Sequence, residues 1–315
     1  MRPGGVNGCR IVLRDRDDAY NPEQAAREAK ALIEDDKVFA LLGAFGTPTL
    51  PVVMRLAEAA GVPLVGTVTL SDEARVPLHR FVFPVRASAL NETRTTVQHQ
   101  LTVGINRFVV LSSKEAYGPE GAEAYRQSLL NAKVEPAAVI EFSVKDDPAV
   151  VARRIFDARP QALLASVLPK PFAAVFKQYL ALGGNARVFG FSAIRIEDMQ
   201  SELGSLADGV VLSQALPVPT RRSVPLVSEF NKVLADHAKG SAPSYHGIDA
   251  YLEARVLVEG LKRAGPQLTR ARLVTALEQL NNFDFGGVTV RYGPNDRSGS
   301  GYVDLVMLRN GSLAY

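Results

Sequence analysis

Short runs of β-branched and aromatic residues alternate along this chain with stretches of about 10 to 15 residues at helical spacing, and this rhythm constrains the fold more than any other feature. Strands joined through helices form right-handed crossovers onto a mainly parallel sheet, so the pattern predicts an α/β architecture of βαβ units. Strands are expected at 10–14, Phe39–Gly43, Val62–Gly66, Arg107–Leu111, Val139–Phe142, Ala162–Ser166, Val188–Phe191 and Val210–Gln214. Helices are expected at 22–35, 48–60, 91–103, 118–132, 147–158, 171–183, 224–238, 246–264 and 270–280. The clearest helix is 22–35. There Asn21 can cap the free amides, Pro22 takes the first helical position, and Ala25, Ala29, Leu32 and Ile33 fall on one face.

The rhythm pauses after Phe83-Pro84-Val85-Arg86, after Gln214-Ala215-Leu216-Pro217-Val218-Pro219, and after Phe283-Asp284-Phe285-Gly286-Gly287. The third pause leads through a turn-rich, hairpin-like stretch into a terminal strand at Tyr302–Leu308. The C-terminal helices have no strand series of their own, so they are expected to return and cover the first sheet. A length of 315 residues suits about two domains. The expected division is a first lobe of 1–86 plus 217–288 and a second of 87–216 plus 289–315.

Composition narrows the function. The 36 Lys and Arg nearly balance 33 Asp and Glu, a net charge of +3 with no basic run, so no nucleic-acid footprint is visible. Apolar runs fall well short of the roughly 20 residues that span a bilayer. The single cysteine, Cys9, cannot form an internal disulfide, and the four histidines are too dispersed for metal-ligand spacing. No signal peptide precedes the turn-rich start, which predicts a cytoplasmic product if Met1 begins the chain.

Ligands of open parallel sheets bind beyond the carboxyl ends of the strands. Two loops fit. In Gly43 to Thr49, Thr47 is expected to cap a helix with Pro48 at its first position, and the following amides would face an anion. In Gly66 to Glu73, Thr67, Thr69 and Ser71 again place hydroxyls between a strand and a helix. Together these loops could hold a carboxylate, although helix capping alone accounts for Thr47 and Ser71. Farther along, Tyr117 follows a strong strand and could present its ring to a ligand. Val167-Leu168-Pro169-Lys170-Pro171 and Phe191-Ser192 follow two others.

Catalytic patterns fit poorly. Ser192 lacks the glycine two residues on that a nucleophile elbow requires, since Ile194 stands there. The glycines at 43 and 46 do not give a dinucleotide-binding spacing, and no phosphate-binding Gly-Lys-Ser/Thr loop occurs. The acidic pairs Asp17-Asp18, Asp35-Asp36 and Asp146-Asp147 read as solvated loops and helix ends.

Several segments, taken in order, carry a resemblance: Gly4-Gly5-Val6-Asn7-Gly8, Asp17-Asp18-Ala19-Tyr20-Asn21-Pro22, Gly43 to Thr49, Gly61-Val62-Pro63, Ala116-Tyr117-Gly118, Pro243-Ser244-Tyr245 and the helix over 249–264. Over essentially its whole length the chain resembles the type I periplasmic solute-binding proteins of ABC importers, the leucine/isoleucine/valine-binding family. That resemblance implies two Rossmann-like α/β lobes joined by three hinge crossovers, with a ligand held between them. It also implies no reaction, no cofactor, no metal, a monomer, a periplasmic location and delivery to an inner-membrane permease. By the same resemblance Thr47 and neighbouring amides would take a ligand carboxylate, Val68 and Thr69 the α-ammonium and carboxylate, with Leu70 competing in the alignment because this loop is one residue shorter than in the leucine binders, and Tyr117 would close from the second lobe. Pro48, Ser71 and Ser192 complete the candidate binding set.

Two departures bear on the ligand. The acidic residue that grips the ammonium in leucine binders aligns with Ser192, and the usual second-lobe aromatic falls near Val167 to Pro169. Loss of a charge-assisted bond removes about 1.5–3 kcal/mol, one to two decades of zwitterion affinity. A carboxylate lacking an ammonium therefore competes with a branched-chain amino acid. A third departure is at the front, where members carry a strand, a glycine- and serine-containing loop and a helix before the Gly-Gly segment. Without that strand, two unpaired sheet edges, exposed apolar surface and either poor solubility or lost binding are expected. A ligand-sensing module acting on a signalling partner is the alternative function, and an α/β enzyme is a third.

Overall fold

The structure is a computed structural model and describes residues 5–115 and 117–314. Gly4 and Ala116, which belong to the segments quoted above, lie outside the described residues. The helices are α1 (Pro22–Glu34), α2 (Leu50–Ala60), α3 (Ala89–Thr102), α4 (Gly118–Asn131), α5 (Pro148–Asp157), α6 (Pro169–Ala181), α7 (Ile196–Leu203), α8 (Pro225–His237), α9 (Tyr245–Ala264) and α10 (Arg270–Glu278). The strands are β1 (Leu41–Phe45), β2 (Leu64–Val68), β3 (Val82–Phe83), β4 (Phe108–Ser113), β5 (Ala138–Phe142), β6 (Ala162–Ser166), β7 (Arg187–Gly190) and β8 (Val211–Gln214). Five more follow: β9 (Phe283–Asp284), β10 (Thr289–Gly293), β11 (Asp296–Ser300), β12 (Asp304–Arg309) and β13 (Ser312–Ala314). Two compact units result, one of Met1–Ala87 with Leu216–Tyr302 and the other of Ser88–Ala215 with Val303–Tyr315. The chain therefore passes from one unit to the other three times.

In the first unit β1, β2 and β3 form a parallel sheet in that order. Helix α1 starts where Asn21 accepts from the amides of Glu23 and Gln24, both at 3.0 Å. Its buried Ala25 and Ala29 lie on the side that meets α2. Helix α9 packs on β1 and β2, and with α8 and α10 it closes an apolar core around Val65, Phe83, Leu226, Leu252, Val256, Leu273 and Leu277.

Two expectations for this unit are corrected. Residues 10–14 form no strand; Ile11, Val12 and Leu13 are 37%, 54% and 72% exposed. A strand exists only through a hydrogen-bonded neighbour, and this strip has none among the described residues. Beside it β1 is an edge strand, and a cavity of about 500 Å³ lies between the strip and β1, lined by Ile11, Leu13, Leu32, Leu42, Leu257 and Leu261 among others. The second correction concerns 289–302, expected in the second lobe. These residues form β10 and β11, an antiparallel hairpin with β9 that belongs to the first unit. Tyr292 is buried there, its hydroxyl donating to the Pro84 carbonyl at 2.7 Å and its ring edge-on to Phe83.

The second unit holds a seven-stranded sheet in the order β13-β12-β8-β7-β6-β4-β5. Strands β5, β4, β6, β7 and β8 run parallel; β12 pairs antiparallel to β8 and β13 antiparallel to β12. Every residue of β4 and β6 is buried, as expected for parallel strands covered on both faces. Tyr125 of α4 packs on Phe191 with ring centroids 4.7 Å apart. No helix among the described residues is long and apolar enough to cross a membrane.

Candidate functional site

Because β1 and β2 are parallel, their carboxyl ends open on the same side, and the loops beyond them are tied together. The Gly46 amide donates to the Val68 carbonyl at 2.9 Å. The Thr47 hydroxyl oxygen accepts from the Leu70 amide at 3.1 Å and from the Thr69 hydroxyl at 3.5 Å. Thr69 in turn accepts from the Ser71 amide, and Ser71 accepts from the Glu73 amide to cap the short turn Asp72–Ala74. Thr47 is buried, whereas Pro48, Val68, Thr69 and Ser71 are half-buried.

The capping role expected for Thr47 is corrected. Helix α2 begins at Leu50, with Thr49 in the cap position and Pro51 in the first turn, so Pro48 is not its first residue. Thr49 turns its hydroxyl back to the Phe45 carbonyl at 2.7 Å instead of accepting from helix amides. Thr47 is thereby left to bridge two loops. A hydroxyl has one hydrogen and two lone pairs. With its oxygen accepting from the Leu70 amide, Thr47 has a hydrogen to offer an acceptor, the polarity a carboxylate needs.

On the side of the sheet covered by α9, Asp249 and Glu253 are buried against it. Asp249 pairs with Arg86 at 3.1 Å, and Glu253 lies against Gly43 and Gly66. Burial pushes both carboxyls up. Arg86 and His246 oppose the rise at Asp249, whereas the neighbouring Asp249 reinforces it at Glu253. Sequence reading did not single out this pair.

In the second unit the loops after β4, β6 and β7 share one edge. Tyr117 is half-buried, and its hydroxyl donates to the Val167 carbonyl at 2.9 Å, so the ring is held by the loop after β6. The Ser166 hydroxyl donates to the Tyr117 carbonyl, and Ser113 accepts from the Leu168 amide at 3.0 Å. Ser192 follows β7 and is buried. Its hydroxyl donates to Glu92 Oε1 at 2.7 Å and its amide to Glu92 Oε2 at 3.0 Å. The Ser213 hydroxyl, from β8, donates to the same Oε2 at 2.5 Å.

Glu92 was missed at the sequence level. A signal for it existed: in α3 the inward positions are Ala89, Glu92, Thr93, Thr96, Val97 and Gln100, recurring every three or four residues, and one of them carries a carboxylate. An ionisable group on an inward helical stripe is an anomaly worth following. Among the described residues no group of three or more His, Cys, Asp or Glu is placed to hold a metal ion.

Sequence and structural comparisons agree with this architecture. The family model for the periplasmic binding proteins matches residues 2–312. A Leu/Ile/Val-binding protein homolog from Brucella abortus is 24% identical over 323 aligned positions, covering 94% of this chain and 77% of the relative. Among solved structures, a substrate-binding periplasmic protein from Ralstonia solanacearum shares 31% identity with a TM-score of 0.83, over 96% of this chain and 87% of its own. A leucine binding protein from Thermotoga maritima shares the fold at 18% identity, with a TM-score of 0.84 over 99% and 88% of the two chains. The chain belongs to the periplasmic binding protein family, a family of solute binders with the type I two-lobed α/β fold.

Proposed function

We propose that this protein captures a small carboxylate-bearing solute, a branched-chain amino acid or a close relative of one, and releases it unaltered to an ABC importer from the periplasm. In the first unit Thr47 and the amides around it take the carboxylate, with Pro48, Val68, Thr69 and Ser71 shaping the loops. In the second unit Tyr117 and Ser192 supply further contacts. The observation that carries the reading is the Thr47 hydroxyl, which accepts from the Leu70 amide and has a hydrogen to offer an anion. A relative named as a Leu/Ile/Val-binding protein homolog supports the solute class.

Calorimetric titration with L-leucine tests it. Thr47→Ala removes one hydrogen bond to a charged group and is expected to weaken binding by about 1.5–3 kcal/mol, roughly 10- to 150-fold. An unchanged dissociation constant in the variant rejects the carboxylate assignment. Failure of the wild-type chain to bind either L-leucine or isocaproate rejects the solute class itself.

A further inference from the structure

The first unit carries a slot that its own sheet does not fill. Among the described residues β1 pairs with β2 alone, and two cavities follow its other side, one of about 500 Å³ beside Val38–Leu42 and one of about 250 Å³ beside Leu41–Phe45. Leu32 lines both, so they are contiguous. Across from β1 the first cavity is walled by residues up to Arg14 and the second by Arg16–Asp18, so wall and strand ascend the chain in the same direction. Successive residues of β2 enter separate cores, Leu64 the one packed by α2 and Leu32, Val65 the one built on α9. Leu32 of α1 and Leu257 and Leu261 of α9 therefore reach the slot from opposite faces of the sheet. A strand seated there is covered on both faces, and such strands are unbroken apolar runs rather than alternating ones. Charge marks a direction as well. Arg10 and Arg14 lie exposed beside the start of β1, Asp17 and Asp18 beside its end, and Arg16 between them is paired with Glu28 and Asp36.

We propose that this slot docks an extended segment of a partner polypeptide, about five consecutive apolar residues preceded by acidic and followed by basic ones, which adds to the sheet as a strand parallel to β1. An open strand edge is a template for a further strand, with main-chain hydrogen bonds giving affinity and side-chain sites giving specificity. The length matches the five residues of β1, the unbroken apolar run matches the two covered faces, and the flanking charges oppose Arg10 and Arg14 at one end and Asp17 and Asp18 at the other. None of these residues belongs to the candidate solute set, so the slot goes beyond the solute reading and does not rest on it.

The probe is a synthetic peptide, acetyl-Asp-Asp-Val-Ile-Val-Ile-Val-Lys-Lys-amide, titrated by calorimetry into the whole chain. Saturable one-site binding is expected, with β1 amides then exchanging about tenfold more slowly or better while β4 amides are unchanged. Proline at the central valine removes an N–H from the ladder and is expected to weaken binding by about tenfold or more. Serine at both isoleucines leaves an alternating pattern that suits a surface open on one face, and is expected to cost about tenfold or more, because two side chains lose their burial. Exchanging the acidic and basic flanks is expected to cost about threefold at low salt and nothing at high salt. In the protein, Leu13→Asp alters a slot residue that is 72% exposed, so the fold is kept, and is expected to weaken the peptide by about tenfold. Absence of binding, equal affinity for the proline or serine peptide, full affinity in Leu13→Asp, or protection of amides other than those of β1 overturns the proposal. A wild-type chain that dimerises in sedimentation, with β1 protection rising with its own concentration and no competition by the peptide, overturns it in favour of a second copy as the occupant.

Discussion

Strands β1 and β4 each feed a loop that carries candidate residues of its own unit, yet they are buried to different extents. All six residues of β4 are buried between β5 and β6. In β1 only Leu41 is buried, and Leu42 and Phe45 are 37% and 43% exposed. Both sequences are apolar enough for a sheet interior, so the difference lies in neighbours: among the described residues β1 pairs with β2 alone. Its Leu41 amide bonds the Pro63 carbonyl, and Leu41 and Leu42 line the cavity beside Ile11–Leu13. A strand's burial is a property of the sheet around it rather than of its residues.

The largest expected consequence is in local stability. Native-state hydrogen exchange should show β1 amides exchanging about a hundredfold faster than those of β4, because unpaired edges open without breaching a core. Equal protection in the two strands would break the comparison.

A smaller effect separates two glycines. Gly66 in β2 has φ +81°, and a Cβ there would sit 2.2 Å from the Glu253 carboxyl carbon. Gly190 in β7 has an ordinary φ, and its Cβ would press on the ends of Leu212 and Ile194, at 2.8 and 3.0 Å, with the Ala165 carbonyl at an ordinary 3.7 Å. Gly66→Ala combines backbone strain with displacement of a buried carboxyl and is expected to cost about 3 kcal/mol. Gly190→Ala asks two flexible side chains to shift and is expected to cost about 1 kcal/mol. Urea unfolding resolved by peptide-level hydrogen exchange reads each unit separately, and a reversed order would show that the first unit yields more readily at its open sheet than the close contact suggests.

These glycines also show where sequence legibility ended. Helix α1 was readable because Asn21, Pro22 and the Ala25–Ala29 stripe all act locally. The expected strands at 39–43 and 62–66 ended on Gly43 and Gly66, two residues early, because glycine reads as a terminus. In the fold both lie inside strands at φ +73° and +81°, against Glu253, a residue far away in the chain. The strip at 10–14 has strand-forming residues, but pairing is a tertiary matter that its own residues cannot report. Helix α7 was overlooked because eight residues carry too few turns to establish a period. Of the candidate site, the hydroxyl-bearing loops were legible from their position after strands. The direction in which each hydroxyl donates was not, since it depends on Leu70 for Thr47 and on Glu92 for Ser192.

The two buried glutamates extend the comparison to pH. Glu92 meets three donors, whereas Glu253 Oε1 has no hydrogen-bond partner among the described residues. Burial and the neighbouring Asp249 raise the Glu253 carboxyl well above its ordinary range, against the weaker opposing pull of Arg86. Folded protein therefore holds this proton at pH values where unfolded chain has released it. Where the native state binds more protons, unfolding free energy falls as pH rises. The first unit should accordingly lose stability as pH climbs from the ordinary glutamate range toward the raised folded value, with Asp249, also raised, contributing in the same direction. Glu253→Gln keeps the shape and stays neutral in both states. It is expected to leave stability nearly unchanged at the acid end, to flatten the decline above it, and to make the variant the more stable protein near neutrality. Chemical unfolding at a series of pH values measures this, and a wild-type profile that rises over that interval would show Glu253 to be held as the charged partner of Arg86.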